Sequence, residues 1–335
     1  MNMLARTRLS NRLSSGLLWA LLALALIAPW IGLYPVLGMR MMCFALFACA
    51  FNLLAGYAGL ISFGHAALFG GAGYLTGMAL TTWGWPTPLG IVAGVATALL
   101  IGLVMGLLAV RRSGIYFSMI TLALAQIVYF YALQANFTGG EDGLQGIPRG
   151  TLFGLPLQSD RVMYYLVLVV FVASWWFLRR VVNSPFGQVL QAVRENEPRA
   201  ISLGYRVNRY KLGVFLISAG FAGLAGAMKA VVMGFETLTD VHWSTSGLVI
   251  LMTLVGGLGT DLGPILGAVL ITVLEEKMGT ISHVLVKVTG IDWFHQLNDS
   301  VSMVIGAIFV LCVLLFRRGI VGEIRARLLL NKISP

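Results

Sequence analysis

Side chains able to do acid–base, nucleophilic or metal chemistry are few in this sequence, and they do not cluster. His65 could bind a metal or carry a proton, but no second ligand lies at helical spacing from it, which favours a structural or helix-capping role. Asp261 stands at a predicted helix start and suits the positive end of the helix dipole, with a proton relay as the alternative. No Gly-Lys dipeptide occurs, so a phosphate-binding P-loop is excluded. The residues therefore predict no catalytic set and no metal site.

The elements that must hold these residues are strongly apolar. Of the 335 residues, 58% are hydrophobic and 11% are charged, whereas a soluble domain has about 25% charged residues. Apolar runs of about 17–23 residues, long enough to cross a hydrocarbon core about 30 Å thick, recur along the chain. The sequence therefore predicts an all-α, polytopic bundle of helices embedded in a membrane.

About ten passes are predicted, within a range of eight to ten. Their limits are 16–37, 41–57, 65–82, 88–110, 113–134, 161–178, 210–233, 246–257, 261–275 and 297–316. An even number places both termini on one side, where most of the 23 lysines and arginines then lie. By the positive-inside rule that side is cytoplasmic, and the net charge of +10 needs no nucleic acid to explain it. The predicted parts are a basic N-terminus (1–15), a membrane domain (16–316) and a cytoplasmic tail (317–335).

Two glycine-rich breaks interrupt the predicted helices, one between Asn52 and His65 and one at 256–267. Broken helices at membrane depth are tolerated only beside protein or a water-filled cavity, and transporters line substrate paths with them. A tight cytoplasmic turn is the alternative for the first break. The predicted pathway residues, which include neutral polar residues of the fifth pass, are Asn52, Gly56, Gly59, Ser62, Gly64, His65, Ser118, Thr121, Gln126, Gly257 and Gly259.

The longest predicted inside loop, residues 179–211, contains signals for two short helices. Ser184 followed by Pro185 is typical of a helix start, and Pro198 and Gly204 are placed to begin and end the second helix. The first helix has one apolar face, made of Phe186, Val189, Leu190 and Val193. Such a face needs a receiver, either lipid headgroups or a cytoplasmic protein.

Several long blocks resemble the LivM-type permeases of branched-chain amino acid ABC transporters. They stand in the family's order as NLLAGYAGLISFGHAALFGGAGY, RRSGIYFSMITLALAQI, TGGEDGLQGIP and FGQVLQAVRENEPRAISLGYRVNRYKLGVFLISAGFAGLAGAM. The resemblance covers about residues 40–320. It departs from the family at residues 316–319, where a proline usually precedes Arg-Gly.

The resemblance implies a multi-pass permease of the bacterial inner membrane that translocates leucine, isoleucine or valine. The implied partners are a second, LivH-type permease subunit, two cytoplasmic ATPase subunits and a periplasmic substrate-binding protein. ATP is used by the ATPase subunits, and the chain itself takes no cofactor. The resemblance also supplies an ATPase groove as the receiver of the loop helices, with the coupling residues Ser184, Pro185, Phe186, Gly187, Arg194, Glu195, Asn196, Pro198 and Gly204.

Other functions remain as alternatives. Within the family, relatives for urea, short amides or other small organic solutes offer a different substrate class. A secondary transporter would need ionisable residues in mid-membrane, and these are almost absent outside Asp261 and the helix ends. A membrane enzyme would need a convergent catalytic set, which the sequence lacks.

Overall fold

The computed structural model describes residues 24–30, 32, 34–152 and 155–289, with isolated positions between 304 and 323. The predicted N-terminus, most of the tenth pass, most of the C-terminal tail and the first part of the first pass lie outside these residues.

Helices dominate the described part of the chain. They are α1 (Pro35–Asn52), α2 (His65–Thr81), α3 (Thr87–Ala109), α4 (Ile115–Gln134), α5 (Asp160–Val182), α6 (Pro185–Glu195), α7 (Glu197–Ser202), α8 (Val207–Met233), α9 (Leu238–Val241), α10 (Trp243–Gly256) and α11 (Gly263–Thr289). Five segments are long and apolar enough to cross a membrane, namely Pro35–Tyr57, Thr87–Ala109, Ile115–Gln134, Asp160–Val182 and Val207–Met233. An all-α membrane bundle is therefore confirmed, while the ten passes and the side of the termini stay predictions.

The helix limits follow the apolar runs closely for α2, α3 and α4, and differ at two places. The prediction that the first pass reaches residue 37 is wrong, because residues 28–30 form a turn and a new helix begins at Pro35. Proline suits the first position of a helix, where its missing N–H costs nothing. The ninth pass is longer than predicted, since α11 runs to Thr289.

The core of the bundle is α8, which packs against α1, α2 and α3. Small residues permit this close packing. A Cβ atom on Gly226 of α8 would lie 1.9 Å from the carbonyl oxygen of Phe69, and one on Gly102 would lie 2.6 Å from the Cβ of Ala219. Small residues at such contacts let helix backbones approach closely in a membrane.

Residues 135–152, 155–157 and 234–242 fold into a feature that we call the cap. Its strands are β1 (Leu144–Gln145), β2 (Thr151–Leu152), β3 (Leu155–Pro156) and β4 (Phe235–Glu236), with β1 antiparallel to β4 and β2 antiparallel to β3. Arg149 ties the cap to the bundle through Asp160 Oδ1, at 2.5 Å, and through the carbonyl oxygen of Val232, at 3.0 Å. The 27 residues of α8, roughly 40 Å long, separate the cap from loop 179–211.

A buried cluster of charges lies where α8 meets the cap. Lys229 Nζ is 2.5 Å from Asp240 Oδ2 and 3.3 Å from Glu236 Oε2. Asp240 also completes a capping box with Thr237 at the start of α9. Burial raises the pKa of Glu236 well above its ordinary range, although the positive charge of Lys229 acts to lower it. The cluster therefore holds the cap on α8 by ionic contacts that water does not reach.

Candidate coupling site

The two glycine breaks meet at the end of the bundle opposite the cap. Asn52, the last residue of α1, donates from Nδ2 to the carbonyl oxygen of Thr260 at 3.0 Å. Its Oδ1 accepts from the backbone N–H of Gly259 at 2.8 Å. Asn52 is buried, so both contacts are shielded from water. One amide side chain thus pins the second break against the end of α1.

The breaks are also in direct backbone contact. A Cβ atom on Gly56 would lie 2.7 Å from the backbone nitrogen of Gly259, which leaves no space for a side chain. Gly259 has a φ of +75°, a conformation that favours glycine. Gly56 lies in a π-helical turn, Leu53–Tyr57, and such turns are frequent at functional sites. We call the contact of residues 52–59 with residues 257–261 the glycine joint.

Arg194 connects loop 179–211 to this joint. Its Nη1 donates a hydrogen bond to the carbonyl oxygen of Gly56. The same side chain crosses Gly59, where an added Cβ atom would lie 2.9 Å from Arg194 Cγ. A Cβ atom on Gly259 would lie 3.6 Å from Arg194 Nη1. One guanidinium therefore contacts the first glycine break and lies beside the second.

The predicted helix pair that carries Arg194 is confirmed. Ser184 Oγ accepts from the backbone N–H of Gly187 at the start of α6, at 3.4 Å. The prediction that Pro198 begins the second helix is corrected by one position, because α7 begins at Glu197 and Asn196 caps it, accepting from the N–H of Arg199 at 3.0 Å. Gly204, with a φ of +86°, lies beyond the end of α7.

The apolar face of α6 packs against this chain itself. Leu190 belongs to the main core, and Val193 packs with the loop and the start of α8. Phe186 stacks on Tyr210 of α8, with ring centroids 5.6 Å apart. Gly187 admits the close approach of α6 to the end of α5, since its Cβ atom would lie 2.0 Å from the carbonyl oxygen of Val182. The face left open to solvent is polar and includes Glu195 and the turn to Pro198.

The predicted polar residues of α4 hold the segment between the π-turn and α2. Ser118 Oγ donates to the carbonyl oxygen of Ile61 at 2.6 Å, and Thr121 Oγ1 accepts from the N–H of Phe63 at 3.2 Å. Ser62 Oγ accepts from the N–H of Gly64 at 3.1 Å. Gln126 lies two turns further along α4, half-buried.

His65 lies in the core at the start of α2. Its Nε2 is 2.8 Å from Ser218 Oγ, which in turn donates to the carbonyl oxygen of Ala50 at 2.6 Å. The rings of Phe51 and Phe215 stand edge-on to the imidazole, at 5.2 and 6.0 Å. These contacts fit the structural role that the sequence favours.

Asp261, at the edge of the joint, is the centre of a polar cluster. Its Oδ1 accepts from Tyr57 Oη at 3.1 Å, and its Oδ2 lies 3.6 Å from Arg179 Nε. Trp175 Nε1 donates to its backbone oxygen at 3.2 Å. The cavity beside these groups has a volume of about 20 Å³, room for about one water molecule. This cavity is therefore too small to hold an amino acid.

Comparison with known proteins decides the family. The model of the family described as "Branched-chain amino acid transport system / permease component" matches residues 36–313. The chain belongs to this permease family. A multi-pass membrane permease, and not an enzyme, is therefore the class of the protein.

Curated relatives of this permease carry consistent names. The chain is 28% identical to the high-affinity branched-chain amino acid transport system permease protein LivM of Salmonella typhimurium, over 94% of this chain and 76% of that protein. It is 28% identical to LivM of Escherichia coli, over 93% and 76%. It is also 28% identical to the autoinducer 2 import system permease protein LsrC of Yersinia pseudotuberculosis, over 62% and 60%. No solved structure matches the chain.

Sequence reasoning missed three residues of the permease's joint. Tyr57, Trp175 and Arg179 all contact Asp261, although Arg179 had been considered only as an orienting positive charge. Asp261 itself had been considered from its place at a helix start. Contacts between residues more than 80 positions apart leave no local pattern in the sequence. Of the three residues, only Tyr57 could have been identified, because it lies inside the glycine-rich segment.

Proposed function

We propose that this chain is one membrane subunit of an ABC importer for branched-chain amino acids in the bacterial inner membrane. A LivH-type permease subunit completes the membrane domain. Two cytoplasmic ATPase subunits hydrolyse ATP, and a periplasmic binding protein delivers leucine, isoleucine or valine. Membership of the family and the printed names of the LivM relatives support this assignment.

The observation that carries the coupling mechanism is the contact of Arg194 with the glycine joint. Arg194 stands in the last turn of α6, beside the exposed turn between α6 and α7. An ATPase that binds this turn moves α6 together with the part of the bundle on which Leu190 and Val193 pack. The guanidinium then pulls on the carbonyl oxygen of Gly56. Displacing that carbonyl separates the two breaks, since Gly56 and Gly259 touch through their backbones.

The joint is the inner barrier of the pathway in this proposal. The buried contacts of Asn52 hold it shut, and the cavity beside Asp261 is too small for an amino acid. Four of the pathway residues predicted from the sequence lie at the joint, namely Gly56, Gly59, Gly257 and Gly259. In this proposal they allow the two backbones to come into contact and to separate. Glycine suits this role because it tolerates both the close approach and the change in backbone angles.

Uptake by the reconstituted importer tests the substrate. The permease pair, its ATPases and its binding protein are placed in proteoliposomes with ATP, and radiolabelled leucine is followed. We expect leucine uptake that falls to background without ATP or without the binding protein, and that unlabelled isoleucine and valine compete. Uptake driven only by urea, an aromatic acid or autoinducer 2 would contradict the substrate while sparing the permease assignment. Leucine uptake that persists on an ion gradient without ATP would instead identify a secondary transporter.

Cysteine labelling tests the orientation. Glu195 and Gln145 are exposed at opposite ends of α8, in the loop and in the cap. We expect a single cysteine at Gln145 to react with an impermeant thiol reagent in cells whose outer membrane is permeabilised, and cysteines at Glu195 and Lys332 to react only after lysis. The native cysteines are first replaced by alanine. Labelling at Lys332 with none at Gln145 would reverse the orientation.

A further inference from the structure

A groove lined by arginines and aromatic rings opens where loop 179–211 joins the bundle. It is bounded by Phe186, Gly204, Tyr205, Arg206, Arg209 and Tyr210 and has a volume of about 510 Å³. We call it the arginine groove. The stacked rings of Phe186 and Tyr210 form one wall, and Tyr205 meets Tyr210 edge-on at 6.1 Å.

The groove carries a positive charge that the described part of the chain does not neutralise. Arg206 and Arg209 are exposed, and among the described residues neither side chain has a hydrogen-bond or ion-pair partner. The nearest acidic residue along the chain, Glu197, is already bound to Lys211 at 2.6 Å. Two free guanidinium groups beside tyrosine hydroxyls are a suitable site for a phosphate group.

The position of the groove indicates which phosphate it meets. Arg206 and Arg209 flank the first turn of α8, and Phe186 follows the end of α5 by four residues, so the groove lies at the level where both spans leave the hydrocarbon. Aromatic and basic residues at that level are typical of the headgroup region. Basic pockets between spanning helices on the cytoplasmic side bind anionic lipid headgroups.

An apolar stripe continues from the groove into the membrane region. Tyr210, Gly213, Ile217 and Phe221 share one face of α8, about 16 Å long, which is roughly half of a hydrocarbon core. Gly213 lies against the Phe186 ring, and Phe221 packs on Phe177 of α5 with ring centroids 5.5 Å apart. Phe177 itself is 47% exposed, so this face is open to an acyl chain.

We propose that the arginine groove binds an anionic phospholipid of the cytoplasmic leaflet. Its phosphate lies between Arg206 and Arg209, and one acyl chain lies along the stripe to Phe221. The inference rests on the proposed orientation, which puts the loop on the cytoplasmic side. The ATPase is the less favoured occupant, because Arg194 and the exposed α6–α7 turn lie at the other end of α6, roughly 14 Å from Phe186.

Lipid retention by the purified complex tests the site. The whole importer is equilibrated in nanodiscs with phosphatidylglycerol and phosphatidylcholine of equal chain length, and the bound lipids are counted by native mass spectrometry. We expect Arg206→Gln with Arg209→Gln to lower the preference for phosphatidylglycerol at least about tenfold, since a charge-assisted hydrogen bond from a guanidinium to a phosphate held in the groove contributes roughly that factor. The matched control is Arg111→Gln with Arg112→Gln, two exposed arginines of another loop, which should leave the preference unchanged.

Further variants separate the sources of the effect. Arg206→Lys with Arg209→Lys should keep most of the preference and shows that the loop still folds. An unchanged preference in the glutamine pair would overturn the proposal. So would displacement of phosphatidylglycerol by millimolar inorganic phosphate, or loss of co-purifying ATPase with lipid retention intact. Because retention is measured without ATP or amino acid, a failed leucine uptake assay bears on the proposed function alone.

Discussion

Arg194→Ala is expected to lower leucine uptake per ATP hydrolysed by about tenfold to a hundredfold in proteoliposomes. The variant loses the one contact that joins α6 to the carbonyl oxygen of Gly56. A hydrogen bond to a charged group contributes about 1.5–3 kcal/mol, which corresponds to that range of rates or populations. ATP hydrolysis should continue, because the exposed turn that meets the ATPase is unchanged.

The neighbouring residue provides the matched control. Glu195→Ala removes a charge from the same turn of α6 but touches no part of the glycine joint among the described residues. Because Glu195 lies in the turn that is proposed to meet the ATPase, this variant measures the loss of that contact alone, and it should lower uptake per ATP less than Arg194→Ala does if Arg194 acts through Gly56. Equal uncoupling by Arg194→Ala and Glu195→Ala would show that only the charge of the turn matters. Unchanged uptake per ATP in Arg194→Ala would remove the guanidinium from the coupling mechanism.

A bulky residue at the joint makes the complementary test possible without touching Arg194. A Cβ atom on Gly259 would lie 3.3 Å from the carbonyl oxygen of Gly56 and 3.6 Å from Arg194 Nη1, so a larger side chain such as leucine would press on both. A bulky substitution at Gly259 and the Arg194→Ala substitution therefore disturb the same contact from opposite sides. Their effects on leucine uptake should not be additive, as is usual for residues that share one interaction.

The helices of this chain could largely be predicted because lipid imposes one strict requirement. Every spanning segment must satisfy its own backbone, so apolar length alone located α2, α3 and α4 closely. The cap of α6 was equally readable, since Ser184 acts within three residues of its partner, whereas the cap of α7 at Asn196 was missed because the helix start was assigned to Pro198. The error at Pro35 has the same local origin, because the apolar run continues through a turn that apolarity does not mark.

The candidate site was only half predictable. Both glycine breaks and the charged turn at Arg194 were visible as separate patterns. Their meeting was not, because Arg194 reaches Gly56 across 138 positions and Asn52 reaches Gly259 across 207. Contacts at such separations depend on how the helices pack, and no local periodicity records that arrangement.

The receiver of the apolar face of α6 illustrates the same limit. The face was readable from its helical spacing, and an external receiver was a reasonable inference from a loop predicted to project from the membrane. In the structure α6 lies on the bundle, and Leu190 and Phe186 are satisfied by this chain. What remains for a partner is the polar face and the turn, which narrows the coupling surface to residues near Arg194.

The buried charges of the cap were missed although one signal was present. Lys229 sits inside an apolar helix, with two acidic residues following within eleven positions. An ionisable residue at membrane depth usually pairs with a group of opposite charge, so the two acidic residues could have been predicted as partners of Lys229.

Lys229→Met is expected to destabilise the attachment of the cap by about 3–5 kcal/mol, because removing one partner leaves buried carboxylates uncompensated. Limited proteolysis at the exposed glycine turn around Gly146 measures this attachment. Cleavage that requires local opening should rise by at least about a hundredfold. The control is Lys277→Met, an exposed lysine of α11, which should leave the cleavage rate unchanged.

The two carboxylates should differ in how well they tolerate the loss. Burial raises the pKa of Glu236 well above its ordinary range, so Glu236 can bind a proton when Lys229 is gone. Asp240 is the closer partner, at 2.5 Å, and also caps α9, so it should account for most of the cost. Lys229→Met with Asp240→Asn should therefore restore much of the resistance to proteolysis, while Lys229→Met with Glu236→Gln should restore little. Equal rescue by the two double variants would show that the two carboxylates share the negative charge. If Lys229→Met alone has no effect on cleavage, the cluster does not hold the cap.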